Sequence, residues 1–200
     1  MAADGKVITG FSQPYVALYS ASGTTVTYTS GQKLARGVSV NIAPEASDDN
    51  TFYADNIAAE TVGGRFTGGT VTLTVDGLLI AAEKLIMGIP TPTGTTSDWT
   101  DYGDNMTIPY VGIGFVVRYM SDNTEYFTPV VLTKTRFNVG GLDAKTQEEE
   151  IDWQTTELTA TILRNDEANH VWKKIGADQT TEAAAVAKIK TLFSITTVGG

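Results

Sequence analysis

A chain of 200 residues with no cysteine has the length for one β-rich domain with a core of its own, and needs neither disulfide nor metal to fold. The missing cysteines remove thiol nucleophiles, zinc fingers and iron–sulfur ligation. With 23 Asp and Glu against 14 Lys and Arg, the net charge of −9 argues against tight binding of nucleic acid and against an anionic membrane surface. No window approaches the roughly 18 apolar residues of a membrane span. Met1 to Lys6 lacks the basic-then-apolar order of a signal peptide, so synthesis in the cytosol is the expectation. Thirty-one threonines stand out. A β-branched polar residue suits a strand surface that faces water.

Strand signals begin with Tyr15 to Tyr19 and Thr25 to Tyr28, which flank the turn Ser22-Gly23 as a hairpin. From Lys33 to Ile42, alternation puts Val38, Val40 and Ile42 on one face and Ser39 and Asn41 on the other. Pro44 to Asn50 reads as a polar break, followed by a short aromatic strand, Thr51 to Asn56, that ends in the turn-forming pair Asp55-Asn56. After a second break at Gly63-Gly64, Thr70 to Val75 gives the cleanest alternation: Val71, Leu73 and Val75 against three threonines. The period then lengthens to 3.6. Leu78, Leu79, Ala82, Leu85 and Ile86 form one apolar face, Asp76 is placed to cap, Gly88 to close in the left-handed region and Pro90 to stop the run. This predicts a helix over about 77–88.

Thr91 to Asn105 reads as a polar loop carrying Trp99 and Tyr102. Two strands follow, Tyr110 to Met120 and Thr124 to Lys134, joined by Ser121-Asp122-Asn123. A long strand from Ile151 to Leu163 sets Leu158, Ala160 and Ile162 against Glu157, Thr159 and Thr161. Val186, Ile189 and Phe193 at helical spacing, behind a cap at Thr180 or Thr181, predict a C-terminal helix over about 181–193. The expected fold is mainly β: an antiparallel sandwich or half-barrel with one packed interior helix and a C-terminal helix. Residues 1–165 form its main domain. Residues 166–200 form an extension packed on that domain.

Chemistry is sparse. His170 is the only histidine and has no triad context, and a zinc site would need a second one or thiolates. Glu148-Glu149-Glu150 and Asp48-Asp49 are carboxylate runs, but neighbours on a strand point to opposite faces and do not pair across a substrate. Asp48, Asp49, Asn50 and Asp55 lack the spacing of a helix–loop–helix calcium loop. No glycine-rich phosphate motif leads into a helix, and no cofactor is expected. Two rival readings remain: a monomeric sugar-binding sandwich using Trp99, Tyr102 and Trp153, and a glycosidase in which Glu148 to Glu150, or Asp101 and Asp104, meet across a cleft.

Four phrases, in order, resemble the major tail protein of long-tailed siphophages of Gram-positive bacteria: Lys33 to Val40 with the acidic Glu45 to Asp49 after it; Asn50 to Asn56; Gly64 to Leu78 running into the helix; and Ala144 to Gln154 leading into the Thr-rich strand. The resemblance covers roughly residues 11 to 165. It implies a non-enzymatic virion protein, made in the host cytoplasm, whose copies close into hexameric rings with a continuous β-lining. Stacked rings form the tail tube around a tape-measure protein, between tail-tip and terminator proteins, and DNA passes through without specific binding. No membrane is involved. The tube subunit of a contractile injection device is a near relative of this reading. Within it, Ser39, Asn41, Thr70, Thr72, Thr74, Glu157, Thr159 and Thr161 are the expected lumen-facing residues. Asp48, Asp49, Phe52, Tyr53, Asp55 and Asn56 are the expected contacts between subunits or rings.

Overall fold

The computed structural model describes residues 5–90, 99–141, 144–146 and 153–195. Ten strands and two helices follow in the order β1 (Val7–Ser22), β2 (Thr25–Lys33), β3 (Gly37–Ala46), β4 (Asn50–Ala54), β5 (Ile57–Val62), β6 (Phe66–Val75), α1 (Ile80–Met87), β7 (Val111–Ser121), β8 (Thr124–Phe137), β9 (Thr156–Leu163), β10 (Lys173–Ile175) and α2 (Glu182–Leu192). The fold is mainly β and antiparallel, a curled sheet of the sandwich or half-barrel kind with two helices.

Its main sheet runs β2-β1-β7-β8-β9-β6-β3, with β10 added beside β8. The ends of that path, β2 and β3, are successive in the chain and joined by only Leu34, Ala35 and Arg36. Three residues cannot cross a flat seven-strand sheet at about 4.8 Å per strand, so the sheet must curl until its edges approach. The link is fastened accordingly: Leu34 N donates to Pro14 O at 2.9 Å, and Asp76 N donates to Arg36 O at 3.1 Å. Leu34 and Ala35 are buried.

The concave side holds the larger core, with Val16, Leu73, Ile113, Phe115, Leu132 and Ile162 closed over by Ala82 and Ile86 of α1. On the convex side, α2 lays Ala185, Ile189 and Phe193 onto Tyr15, Tyr28, Val116 and Phe127. Strand β7 lies between both cores, which explains its unbroken apolar run from Val111 to Val117. Gly112 and Gly114 let α2 approach: a Cβ on Gly112 would lie 2.6 Å from the Tyr28 ring, and one on Gly114 would lie 2.6 Å from Ile189.

Turns follow their sequences. Asp55-Asn56 and Asp122-Asn123 all have φ between 47° and 64°, the left-handed pair of a two-residue hairpin loop, and Gly23 has φ 58°. Gly88 closes α1 at φ 63°, and Thr181 caps α2 by accepting from Ala184 N at 3.3 Å. Elsewhere the sequence-based expectation shifts. Helix α1 starts at Ile80, with Leu79 as an N-cap that makes no side-chain bond. Asp76 is drawn away to Arg36, whose backbone N donates to its Oδ1 at 3.0 Å and whose guanidinium also binds it. The expected break at Pro44 lies within β3, an edge strand where proline costs no ladder bond. A register shift between Gly37 and Ser39 turns Val38 outward, 53 % exposed, while Val40 and Ile42 stay half-buried. The last long strand, expected from Ile151, begins at Thr156: Trp153, Gln154 and Thr155 are irregular and exposed, and 151 and 152 lie outside the described residues.

Candidate assembly surfaces

The convex face of the sheet is divided. Helix α2 covers the half made of β1, β7 and β8, and the half made of β9, β6 and β3 is bare. Period-two alternation in three neighbouring strands places polar side chains there in register. Ser39 pairs with Thr74 and Thr74 with Glu157; Asn41 pairs with Thr72 and Thr72 with Thr159. Ala43 pairs with Thr70, Thr70 with Thr161, and Thr161 with Arg136 on β8. All eight residues expected to line a lumen therefore share this one face, in three cross-strand rows. Thr70, Thr72, Thr74 and Thr159 are half-buried by their neighbours; Ser39, Asn41, Glu157 and Thr161 are exposed. Ser39 and Thr74 hydroxyls are 3.0 Å apart. Beneath the hydroxyls, Val71, Leu73, Leu158 and Ala160 anchor the same strands in the core.

The second surface is an arm. Strands β4 and β5 pair only with each other, at the end of the β3–β6 hairpin. Its base is held where Ser47 N donates to Arg65 O at 2.9 Å and Gly64 N donates to Asp49 Oδ1 at 2.7 Å. Asp48 is exposed at this base. Cross-strand register then sorts the arm into two faces. Thr51 stands beside Thr61, and past a bulge Tyr53 stands beside Ala58. On the other face lie Phe52, Ile57 and Val62, exposed by 64, 69 and 59 %, with Glu60 opposite Phe52 and Asn50 opposite Val62. Such a row of large apolar side chains in water is unusual for a face with nothing to cover it. Asp55 and Asn56 form the tip. Sequence reading found β4 and missed β5. Its signal was the Asp-Asn pair, which the chain also uses between β7 and β8, followed by the β-branched ends Ile57 and Val62.

A third feature lies at the opposite end of β6. Glu83 and Met87 of α1, with Leu78, Tyr102, Val139 and Leu158, surround a cleft of about 470 Å³. The Tyr102 hydroxyl donates to Glu83, and burial followed by that bond pushes the phenol up to about 12.

The residues weighed for catalysis do not converge among the described residues. His170 is exposed with φ 49°, its Nδ1 at 3.1 Å from Asn165 O. Asp101 and Asp104 are exposed, and among the described residues no group of three or more Asp, Glu or His could hold a metal. Trp99, Tyr102 and Trp153 are all exposed, and no ring contact joins them. Glu148 to Glu150 lie outside the described residues. No helix among the described residues is long and apolar enough to cross a membrane. Compared with models of known protein families the chain matches none, and no curated protein matches it in sequence.

Proposed function

We propose that this chain is a structural subunit that assembles with its own copies into stacked hexameric rings, the tail tube of a long-tailed phage. One observation carries the reading. The convex face is split between a half sealed under α2 and a half that is bare and rich in hydroxyls, with Glu45, Arg136 and Glu157 as its charged members. Bare polar strands joined edge to edge make a lining that wets well and grips nothing. Ring closure also pairs the open edges of β2 and β3, which would otherwise template aggregation. Six copies at −9 each carry −54 per ring, a field that repels phosphate and lets DNA slide past. The exposed arm supplies the apolar surface for contact between copies. The tape-measure, tail-tip and terminator partners come with the resemblance carried by Lys33–Asp49, Asn50–Asn56, Gly64–Leu78 and Ala144–Gln154.

Electron microscopy of concentrated protein, with light scattering on the same sample, tests this. Hollow rings or tubes of six-fold symmetry are expected. The cysteine-free chain also permits a single reporter thiol at Thr72→Cys, which should react with a bulky maleimide in the monomer and be shielded in the tube. A strictly monomeric protein, unchanged after addition of a tail-tip initiator, would refute the proposal. Equal labelling in both states would remove Thr72 from the lining.

A further inference from the structure

Resting on the tube-subunit reading for its use in assembly, we infer that Trp172 is a positioning residue that fixes the direction in which the β4–β5 arm leaves the sheet. Strands β4 and β5 pair only with each other, so the arm's direction is set at its root, where Ala46 pairs with Phe66 at the end of the β3–β6 ladder. One flank of that root is open, because β3 is the edge of the sheet. On the other flank, the pairing of β6 with β9 runs from Val75 only as far as Gly69 opposite Ile162. Phe66, Thr67 and Gly68 continue past the end of that pairing. Two successive glycines, Gly68 and Gly69, lie where the support stops, and glycine restrains the backbone least. Left to itself, this is a place for the ribbon to bend.

The C-terminal segment stands in for the missing strand. The Trp172 indole stacks on the Phe66 ring, with 4.5 Å between centroids and 5° between planes, and the Arg164 guanidinium donates to Phe66 O. Trp172 is itself anchored: its carbonyl accepts from Thr133 N at 3.1 Å, and the residues after it pair as β10 with β8. Beyond the stack, the two chains of the root are held to each other. Arg65 N donates to Ser47 Oγ at 3.0 Å, and a Cβ on Gly64 would lie 1.9 Å from Ser47 O, so no side chain fits between them. The root therefore moves as one piece, and Phe66 on Trp172 braces it against the body. Leverage makes the angle matter. The five residues of β4 at about 3.3 Å each put the tip about 16 Å out, so a swing of about 20° moves it by about 6 Å. An arm that wanders this far must be ordered again each time it meets a partner, at a cost in affinity.

The cysteine-free chain allows a direct test on the monomer. Nitroxide labels at Glu60→Cys on the arm and Lys188→Cys on α2, both exposed positions, report their separation by double electron–electron resonance. A narrow distance distribution is expected in the parent and in Trp172→Phe, which keeps a ring for Phe66. Trp172→Ala should widen it at least twofold, and Arg164→Ala, which removes only an exposed side chain, should widen it as well. An unchanged width in Trp172→Ala, or in Arg164→Ala should the first not fold, would overturn the inference. So would a broadening in Trp172→Phe as large as in Trp172→Ala. As a second measure, the widened variants should assemble at least fivefold less than the parent; assembly equal to the parent's would overturn the part Trp172 plays in it. A parent that forms no tubes would overturn the tube reading alone, since the distances in the monomer decide the position of the arm without it.

Discussion

Phe193 and Phe52 show how one residue type meets two fates. Phe193 is fully buried, tilted against the Tyr28 ring at 5.0 Å and seated over Gly112 and Gly114. Replacing it with alanine is expected to cost about 3–5 kcal/mol, read as a lower urea midpoint. Phe52→Ala should change monomer stability by no more than about 0.5 kcal/mol and weaken assembly, because nothing in the monomer covers that ring. Titration adds a second residue-scale consequence. Burial, and then donation to Asp166 at 2.6 Å, push Tyr19 up to about 12. Asp166 is held below the usual carboxylate range by Lys134 at 2.8 Å and by Tyr19. For Tyr19, whose folded value is raised, the stabilisation is intact below the ordinary tyrosine value near 10 and is lost as pH climbs toward 12. For Asp166, whose folded value is depressed, it is intact above the ordinary value near 4 and is lost as pH falls below it. Thermal midpoints across pH should therefore show an alkaline limb flattened by Tyr19→Phe and an acid limb flattened by Asp166→Asn.

Among the elements, the arm is the one whose removal should leave the fold intact. No residue of β4 or β5 enters either core, so replacing 48–63 by a short loop should keep the unfolding midpoint of the parent while abolishing stacking in electron micrographs. The elements were legible where local chemistry decides them: the Asp-Asn and Gly23 turns, the Val/Thr alternation of β6, the Gly88 stop and the Thr181 cap. They were not legible where a distant partner decides. Asp76 reads as a helix cap until Arg36, forty positions earlier, takes its carboxylate. Val38 reads as core until the shift at Gly37 turns it over. The three residues β10 adds beside β8 carry no periodic signal of their own. The bare face could be drawn up from alternation alone, because β6 and β9 each carry their own Val/Thr or Leu/Thr pattern. That the two stand side by side, with Thr72 opposite Thr159, follows from pairing across more than eighty residues and needed the fold.

At the scale of the whole molecule, charge opposes association and apolar contact favours it. Screening between exposed charges extends about 30 Å at 0.01 M salt and about 8 Å at 0.15 M. Copies that each carry −9 should therefore assemble faster and further as salt rises, with scattering as the measure. Only the short-range arm contact would be left unscreened at high salt. The arm and the α1 end lie at the two ends of β6, which is flanked by β3 and β9 in antiparallel pairing. A pull applied between those ends runs along the strands, while the bonds that join the strands lie across them. The load is then shared by a whole row of bonds in shear, and none can be peeled away singly. Were copies to join at those two ends, the filament would resist stretching through this backbone ladder and would bend at the contacts between its subunits.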